Sequence, residues 1–130
     1  MDIGFLGLGQ MGAAIAERLQ DACDRLHIYD PDAVAVAPFV LRGAVDHDSA
    51  AAVANAAPVV FACLPNGNVS EAVAAEVASG LAMRTYVEMS TIGSPAMLRI
   101  QSVMARTRLL TDDSTPNSAT ANPTRWSEGQ

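Results

Sequence analysis

Lysine is absent: all eight basic side chains are arginine, set against 14 acids, for a formal net charge of −6. That sign argues against nucleic acid or an anionic membrane as a partner. Cysteine is scarce. Cys23 and Cys63 stand far apart without metal-type spacing, so buried free thiols in a reducing cytosol are expected rather than a disulfide or a metal site. Aromatics make up only 5% of the chain, so the core must be built from small side chains. Long apolar runs are missing too. The N-terminus carries an acid at Asp2, and its apolar stretch is too short for a signal peptide or a membrane span, so the expected location is cytoplasmic. What remains is half apolar and rich in alanine, and 130 residues suffice for one globular domain.

Strand and helix signals alternate along the chain. Residues 2–6 read as a buried strand. Met11, Ile15, Ala16 and Leu19 recur at helical spacing, with Glu17, Arg18 and Gln20 on the other side. "RLHIYD" (25–30) is a second strand. Pro31 and Asp32 open a short helix to about Leu41, closed by Gly43, and "GAVD" is a third strand. Asp48 or Ser49 caps a helix over the alanine run 50–56. "PVVFACLP" is apolar at nearly every position, as in a strand covered on both faces. A helix from about Val69 to Ser79 stops at Gly80, and "TYVEM" is a fifth strand. Ser94-Pro95 reads as an N-cap and first-turn proline for a helix to about Arg106, with "RLL" (108–110) as a sixth strand. This alternation predicts a doubly wound α/β domain over 1–110 with a parallel sheet. Residues 111–130 are polar and aperiodic, and a disordered tail is expected there.

Four glycines interrupt the first apolar run, "DIGFLGLGQMG". Gly7, Gly9 and Gly12 form G-x-G-x-x-G between strand one and helix one, and each spacing has a use. Gly7 permits the tight turn. Gly9 lacks the Cβ that would keep a pyrophosphate from the backbone. Gly12 lets the helix pack on the strand. Free N–H groups near Gln10 and Met11 then face the phosphates, and Leu8, inside the loop, is also expected among the cofactor-binding residues. Gly4 lies outside this scheme and reflects close packing. Asp30 ends strand two, where an acid accepts both ribose hydroxyls of adenosine and repels a 2′-phosphate. The expected ligand is therefore NAD in preference to NADP. The plainer alternatives are a tight turn for the glycines and a solvated strand-end acid for Asp30.

Taken with two further stretches, the sequence resembles the β-hydroxyacid dehydrogenases, the group of 3-hydroxyisobutyrate dehydrogenase and tartronate semialdehyde reductase, with 6-phosphogluconate dehydrogenase and the imine reductases as more distant kin. "IGFLGLGQMGAAIAERL" is similar to the family's opening. "VVFACLPNGNVSEAV" (59–73) is similar to its strand-four segment with a Leu-Pro turn, and "YVEMSTIGSP" (86–95) to its "D-x-S-T-I-x-P" segment. The resemblance covers residues 1 to about 110. It implies a Rossmann-type fold and oxidation of a β-hydroxy acid to a semialdehyde, or the reverse. It also implies that Leu64 and Pro65 line the nicotinamide half of the cofactor, that Thr91 contacts its nicotinamide end, and that Ser90 lies on the substrate side. Read from the residues alone, Leu64-Pro65 ends a strand, and Ser90 and Thr91 satisfy local backbone. His27 and His47 match nothing in the family pattern and are expected to be structural or solvent-facing. Cys63 is expected to be a small buried hydrophobe.

The family pattern then breaks. A "D-A-P-V-S-G-G"-like segment and a helical second domain with a catalytic lysine have no counterpart here, and "TDDSTPNS" follows Leu110 instead. No catalytic residue is therefore assigned, and a small β-hydroxy acid is a partner only if the missing domain is supplied. Arginine-only bases and abundant alanine suggest a GC-rich gene. With G or C taken in third positions and the codons chosen to suit, reading 118–130 from the third base of each codon can give a Val-Gly-Gly run at the spacing of the family's "G-x-L-x-x-M-V-G-G". The tail is expected to be out of frame in a truncated or frameshifted product, with a genuine polar tail as the alternative. Two other functional classes stay open: a non-enzymatic nucleotide-binding or regulatory module, and a methyltransferase-like Rossmann domain, against which the third glycine, the Leu-Pro turn and "STI" argue.

Overall fold

Five short strands alternate with five helices over the described residues, 1–90 and 94–111, of the computed structural model. The strands are β1 (Ile3–Leu6), β2 (Leu26–Tyr29), β3 (Val45–Asp46), β4 (Val59–Ala62) and β5 (Thr85–Glu88). The helices are α1 (Gln10–Ala22), α2 (Ala33–Leu41), α3 (Ala50–Ala56), α4 (Gly67–Val77) and α5 (Ser94–Thr111). Every pairing is parallel, in the order β3-β2-β1-β4-β5. This is the Rossmann-type sheet that the alternation predicts. The chain winds one way from β1 to β3 and the other way from β4 to β5, so a crevice opens beyond the carboxyl ends of β1 and β4.

Strand side chains alternate between the two faces. Phe5 faces one layer with Leu26, Ile28, Val36 and Phe39. Leu6 faces the other with Val53, Val60, Val77, Tyr86 and Ile100. Burial of each large apolar side chain contributes roughly 1.5–3 kcal/mol. That outweighs the cost of about 0.5–1 kcal/mol for Gly4 inside β1. Gly4 is there for close approach: a Cβ on it would sit 2.5 Å from Val53 Cγ1. Ala16, Ala54, Ala57, Ala62 and Ala74 are fully buried, which is how an aromatic-poor chain brings helices close to its sheet.

Local capping sets the crossovers. Asp32 accepts from the Val34 N–H at 3.0 Å, Ser49 from Ala52 at 3.1 Å, and Asn66 from Val69 at 3.0 Å. Gly43 ends α2 with φ +98°.

Several expectations need correction. α4 begins at Gly67 and ends at Val77, two residues earlier at each end than its apolar pattern suggests, because Asn66 is the cap. Ser94 lies within α5 rather than capping it, and α5 runs to Thr111 rather than to about Arg106. The sixth strand at 108–110 is therefore absent: those residues are helical. No glycine or proline follows Pro95 until Pro116, and adding a residue to an existing helix is easier than starting a three-residue strand. Met11 does not join the core of α1 but is 61% exposed. Cys23 and Cys63 are free thiols, as expected, but only partly buried. The tail from residue 112 lies outside the described residues. Among the described residues, no helix is long and apolar enough to cross a membrane.

Candidate dinucleotide site

The crevice at the switch in strand order is a cleft of about 570 Å³, within the usual range for small-molecule sites. The glycine loop forms one wall: Gly7, Gly9, Gln10, Met11 and Gly12 all line it. Asp30 and Pro31 stand at the end of β2, and Cys63, Leu64 and Pro65 at the end of β4. Leu6, Tyr29, Ala50, Val69, Val73 and Glu76 complete the lining. A more open hollow of about 700 Å³ lies against α2, sharing Tyr29, Asp30 and Pro31 but none of the glycines.

The glycines differ in why they are glycine. Gly7 has φ +92°, and a Cβ on it would lie 2.2 Å from the Cys63 carbonyl oxygen. Gly12 would place a Cβ 2.1 Å from the Gly7 carbonyl oxygen. Both are required by the fold. Gly9 is not. Its φ of −67° and ψ of −173° suit any residue, and a Cβ there would meet nothing within 4 Å. It is the N-cap of α1, where a side-chain cap is usual and none is present. The first intrahelical bond is Ala13 N–H to Gly9 O at 2.7 Å. The earlier amides of this turn have no intrahelical acceptor, and they lie at the positive end of the helix dipole.

Asp30 organises this loop. Its Oδ2 accepts the Leu8 N–H at 2.6 Å and its Oδ1 accepts the Asp32 N–H at 2.8 Å, while the Gly7 N–H donates to Tyr29 O at 3.2 Å. The carboxylate therefore ties the glycine loop to the end of β2 and borders the cleft. Leu8 itself is buried against the α1–α2 side of the sheet.

At the β4 end, the Leu64 N–H donates to Ser90 Oγ at 2.6 Å, and Ser90 Oγ donates to Glu88 Oε2 at 2.5 Å. Ser90 is only 3% exposed. Glu88 is fully buried and also accepts from Tyr86 at 3.2 Å and Ser70 at 3.4 Å. Burial pushes its carboxyl up from the ordinary value, opposed by these hydroxyl donors. Burial, then the neighbouring Glu88, pushes the Tyr86 hydroxyl well up. Burial likewise raises the Cys63 thiol, which disfavours the reactive thiolate. Thr91 lies outside the described residues.

Sequence reasoning missed Glu88 beside the cleft and, in its lining, Leu6, Tyr29, Ala50, Val69, Val73 and Glu76. Glu88 left one signal: the alternation in "TYVEM" puts Tyr86 and Glu88 on one face. Glu76 accepts the Ala51 N–H at 2.9 Å and so anchors the start of α3 at the cleft. His27 is buried, held by Asp2 at 2.8 Å and His47 at 2.9 Å, away from the cleft. Burial, then His27, lowers the His47 pKa. Among the described residues, no cluster of His, Cys, Asp or Glu could hold a metal ion.

A parallel sheet in this order, with a glycine loop and a strand-end acid at its crevice, defines a dinucleotide-binding Rossmann domain. Over residues 2–114 the chain matches the NAD binding domain of 6-phosphogluconate dehydrogenase, and it belongs to that family, in its β-hydroxyacid dehydrogenase branch. It is 42% identical over 66 residues to 3-hydroxyisobutyrate dehydrogenase of Pseudomonas aeruginosa, covering 51% of this chain and 22% of the relative. It is 33% identical over 100 residues to the mitochondrial 3-hydroxyisobutyrate dehydrogenase of Drosophila melanogaster, covering 75% and 31%. The solved structure of Mycobacterium tuberculosis 3-hydroxyisobutyrate dehydrogenase superposes with a TM-score of 0.74 at 28% identity, covering 82% of this chain and 37% of that one. The chain thus spans less than a third of the length of these two curated relatives.

Proposed function

We propose that the cleft at the β1–β4 crevice holds the dinucleotide of this NAD-binding domain, with NAD preferred over NADP. The chain then contributes the cofactor-holding half of a hydride transfer between a β-hydroxy acid and its semialdehyde. The observation that carries the reading is Gly9. Nothing in the protein itself requires glycine there, since the backbone is ordinary and the space beyond is empty. A ligand pressed against the backbone does require it.

The first-turn amides of α1 and the Gly9 backbone hold the pyrophosphate, with the helix dipole behind them. The Asp30 carboxylate meets the adenosine ribose, and its negative charge disfavours a 2′-phosphate. Leu64 and Pro65 line the nicotinamide half. When bound, the nicotinamide supplies the hydride acceptor or donor. The proton of the substrate hydroxyl needs a separate group. The family resemblance assigns that task to a lysine, and this chain has none. The substrate class is supported by the names of relatives, among them 3-hydroxyisobutyrate dehydrogenase and, at 38% identity over 66 residues, 3-sulfolactaldehyde reductase of Escherichia coli.

Fluorescence titration with NADH, NADPH and S-adenosylmethionine tests the proposal. NADH binds more tightly than NADPH, and S-adenosylmethionine does not displace it. Equal NADH and NADPH affinity would remove the role of Asp30, and displacement by S-adenosylmethionine would favour a methyltransferase-like domain.

A further inference from the structure

Glu88 is an anomaly in this core. A carboxylate with no exposed surface costs free energy unless its oxygens are satisfied. Three hydroxyls converge on it: Tyr86 from the same strand, Ser70 from α4, and Ser90 just beyond β5. Ser90 is the informative one. A serine oxygen can donate one hydrogen bond while accepting another. Here it donates to Glu88 and accepts from the Leu64 backbone N–H, at 2.5 and 2.6 Å. Glu88 therefore orients the Ser90 hydroxyl so that its lone pair faces Leu64. The Leu64 amide is the first N–H past the β4 ladder: Cys63 N–H still bonds Leu6 O at 2.9 Å, and Leu64 turns to β5's end instead. Leu64 and Pro65 then border the cleft.

We infer that Glu88 and Ser90 form a buried latch that fixes the Leu64-Pro65 turn as a cofactor-positioning wall. Ser90 acts through the Leu64 backbone, not by touching substrate. The inference rests on the cleft being the dinucleotide site, as proposed above. The latch makes a specific demand on chemistry. Alanine at 90 leaves the Leu64 N–H without its acceptor. Glutamine at 88 can keep its amide oxygen on Ser90 with the N–H₂ group on the Tyr86 oxygen, whereas leucine at 88 removes both acceptors, so that the Ser90 proton loses its place. Threonine at 90 keeps the hydroxyl and the latch.

The test uses the full chain, labelled with ¹⁵N, with NADH as the probe. In the unmodified chain the Leu64 amide resonates downfield and exchanges slowly. Ser90→Ala speeds that exchange and weakens NADH about tenfold, the size expected from one hydrogen bond of this kind. Ser90→Thr restores both. Val53→Ala is the control for general loss of stability: it lowers the melting temperature but leaves NADH affinity and Leu64 exchange unchanged below the transition. If Ser90→Ala does not fold, Glu88→Leu serves, with the same two changes expected. An unprotected Leu64 amide in the unmodified chain overturns the latch without any variant. So does a folded Ser90→Ala or Glu88→Leu protein with parental NADH affinity. Failure of the unmodified chain to bind NADH, with Leu64 still protected, overturns the proposed site instead and leaves the latch a structural device without a ligand.

Discussion

Replacing Gly9 with valine separates binding from folding. The backbone at Gly9, φ −67° and ψ −173°, accepts a β-branched residue without strain, and the added Cβ meets nothing within 4 Å. The unfolded chain loses conformational freedom, which favours folding by about 0.4–1 kcal/mol. Loss of glycine at an N-cap opposes this by a comparable amount, about 1 kcal/mol at most. The net change in stability is within about 1 kcal/mol, a shift of roughly 4–8 °C or less for a domain of this size. Binding responds differently. The valine side chain stands where the pyrophosphate approaches the first-turn amides, and hydrogen bonds to a charged group contribute about 1.5–3 kcal/mol each. Losing two of them weakens NADH by at least about 100-fold. Gly12→Ala gives the opposite pattern. Its Cβ would lie 2.1 Å from the Gly7 carbonyl oxygen, and such overpacking costs about 1–3 kcal/mol or more. Thermal melts and NADH fluorescence titrations on the two variants decide the matter. A Gly9→Val protein that binds NADH like its parent, or one that fails to fold, would refute the reasoning.

Other perturbations have equally definite outcomes. Asp30→Asn removes the charge but keeps an acceptor for the Leu8 N–H; NADH weakens about tenfold and the NADH-over-NADPH preference narrows, as side-by-side titrations report. Burial raises the Glu88 pKa, so the folded chain binds a proton there more readily than the unfolded chain. The stability this supplies is fully present below the ordinary value of 4.5 and is lost as pH rises through the folded value, and Glu88→Gln flattens that part of a melting-temperature profile. Parallel profiles would contradict this. With NAD and 3-hydroxyisobutyrate or glycerate, the purified 130-residue chain forms no NADH above the protein-free rate, because no lysine is present to handle the hydroxyl proton.

Much of this architecture was legible in the residues because its signals are local. Asp32, Ser49 and Gly43 mark helix ends by their own chemistry, and the glycine spacing marks the first crossover whatever packs around it. The misreadings share a cause in longer-range context. Gly67 reads as loop until Asn66 is known to cap the helix that contains it. Met11 has the spacing of a core residue, yet the face it occupies opens on the cleft. "RLL" has strand-like composition but follows a helix that nothing stops. Glu88 was hidden most deeply. A charged residue is ordinarily placed outside, and the hydroxyls that meet it come from α4, β5 and Ser90, which its own neighbours in sequence do not announce. Asp30 was legible as a strand-end acid, whereas its bond to the Leu8 N–H depends on the β1–β2 register.

The central claim, that the dinucleotide lies against the Gly9 backbone in the β1–β4 crevice, is tested most directly by amide chemical-shift mapping with NADH. The predicted result is a saturable shift concentrated at Gly9, Gln10, Met11 and Gly12, with smaller shifts at Asp30 and Leu64. Saturable binding that leaves the glycine-loop amides unmoved, with shifts gathered in the hollow beside α2, would contradict it.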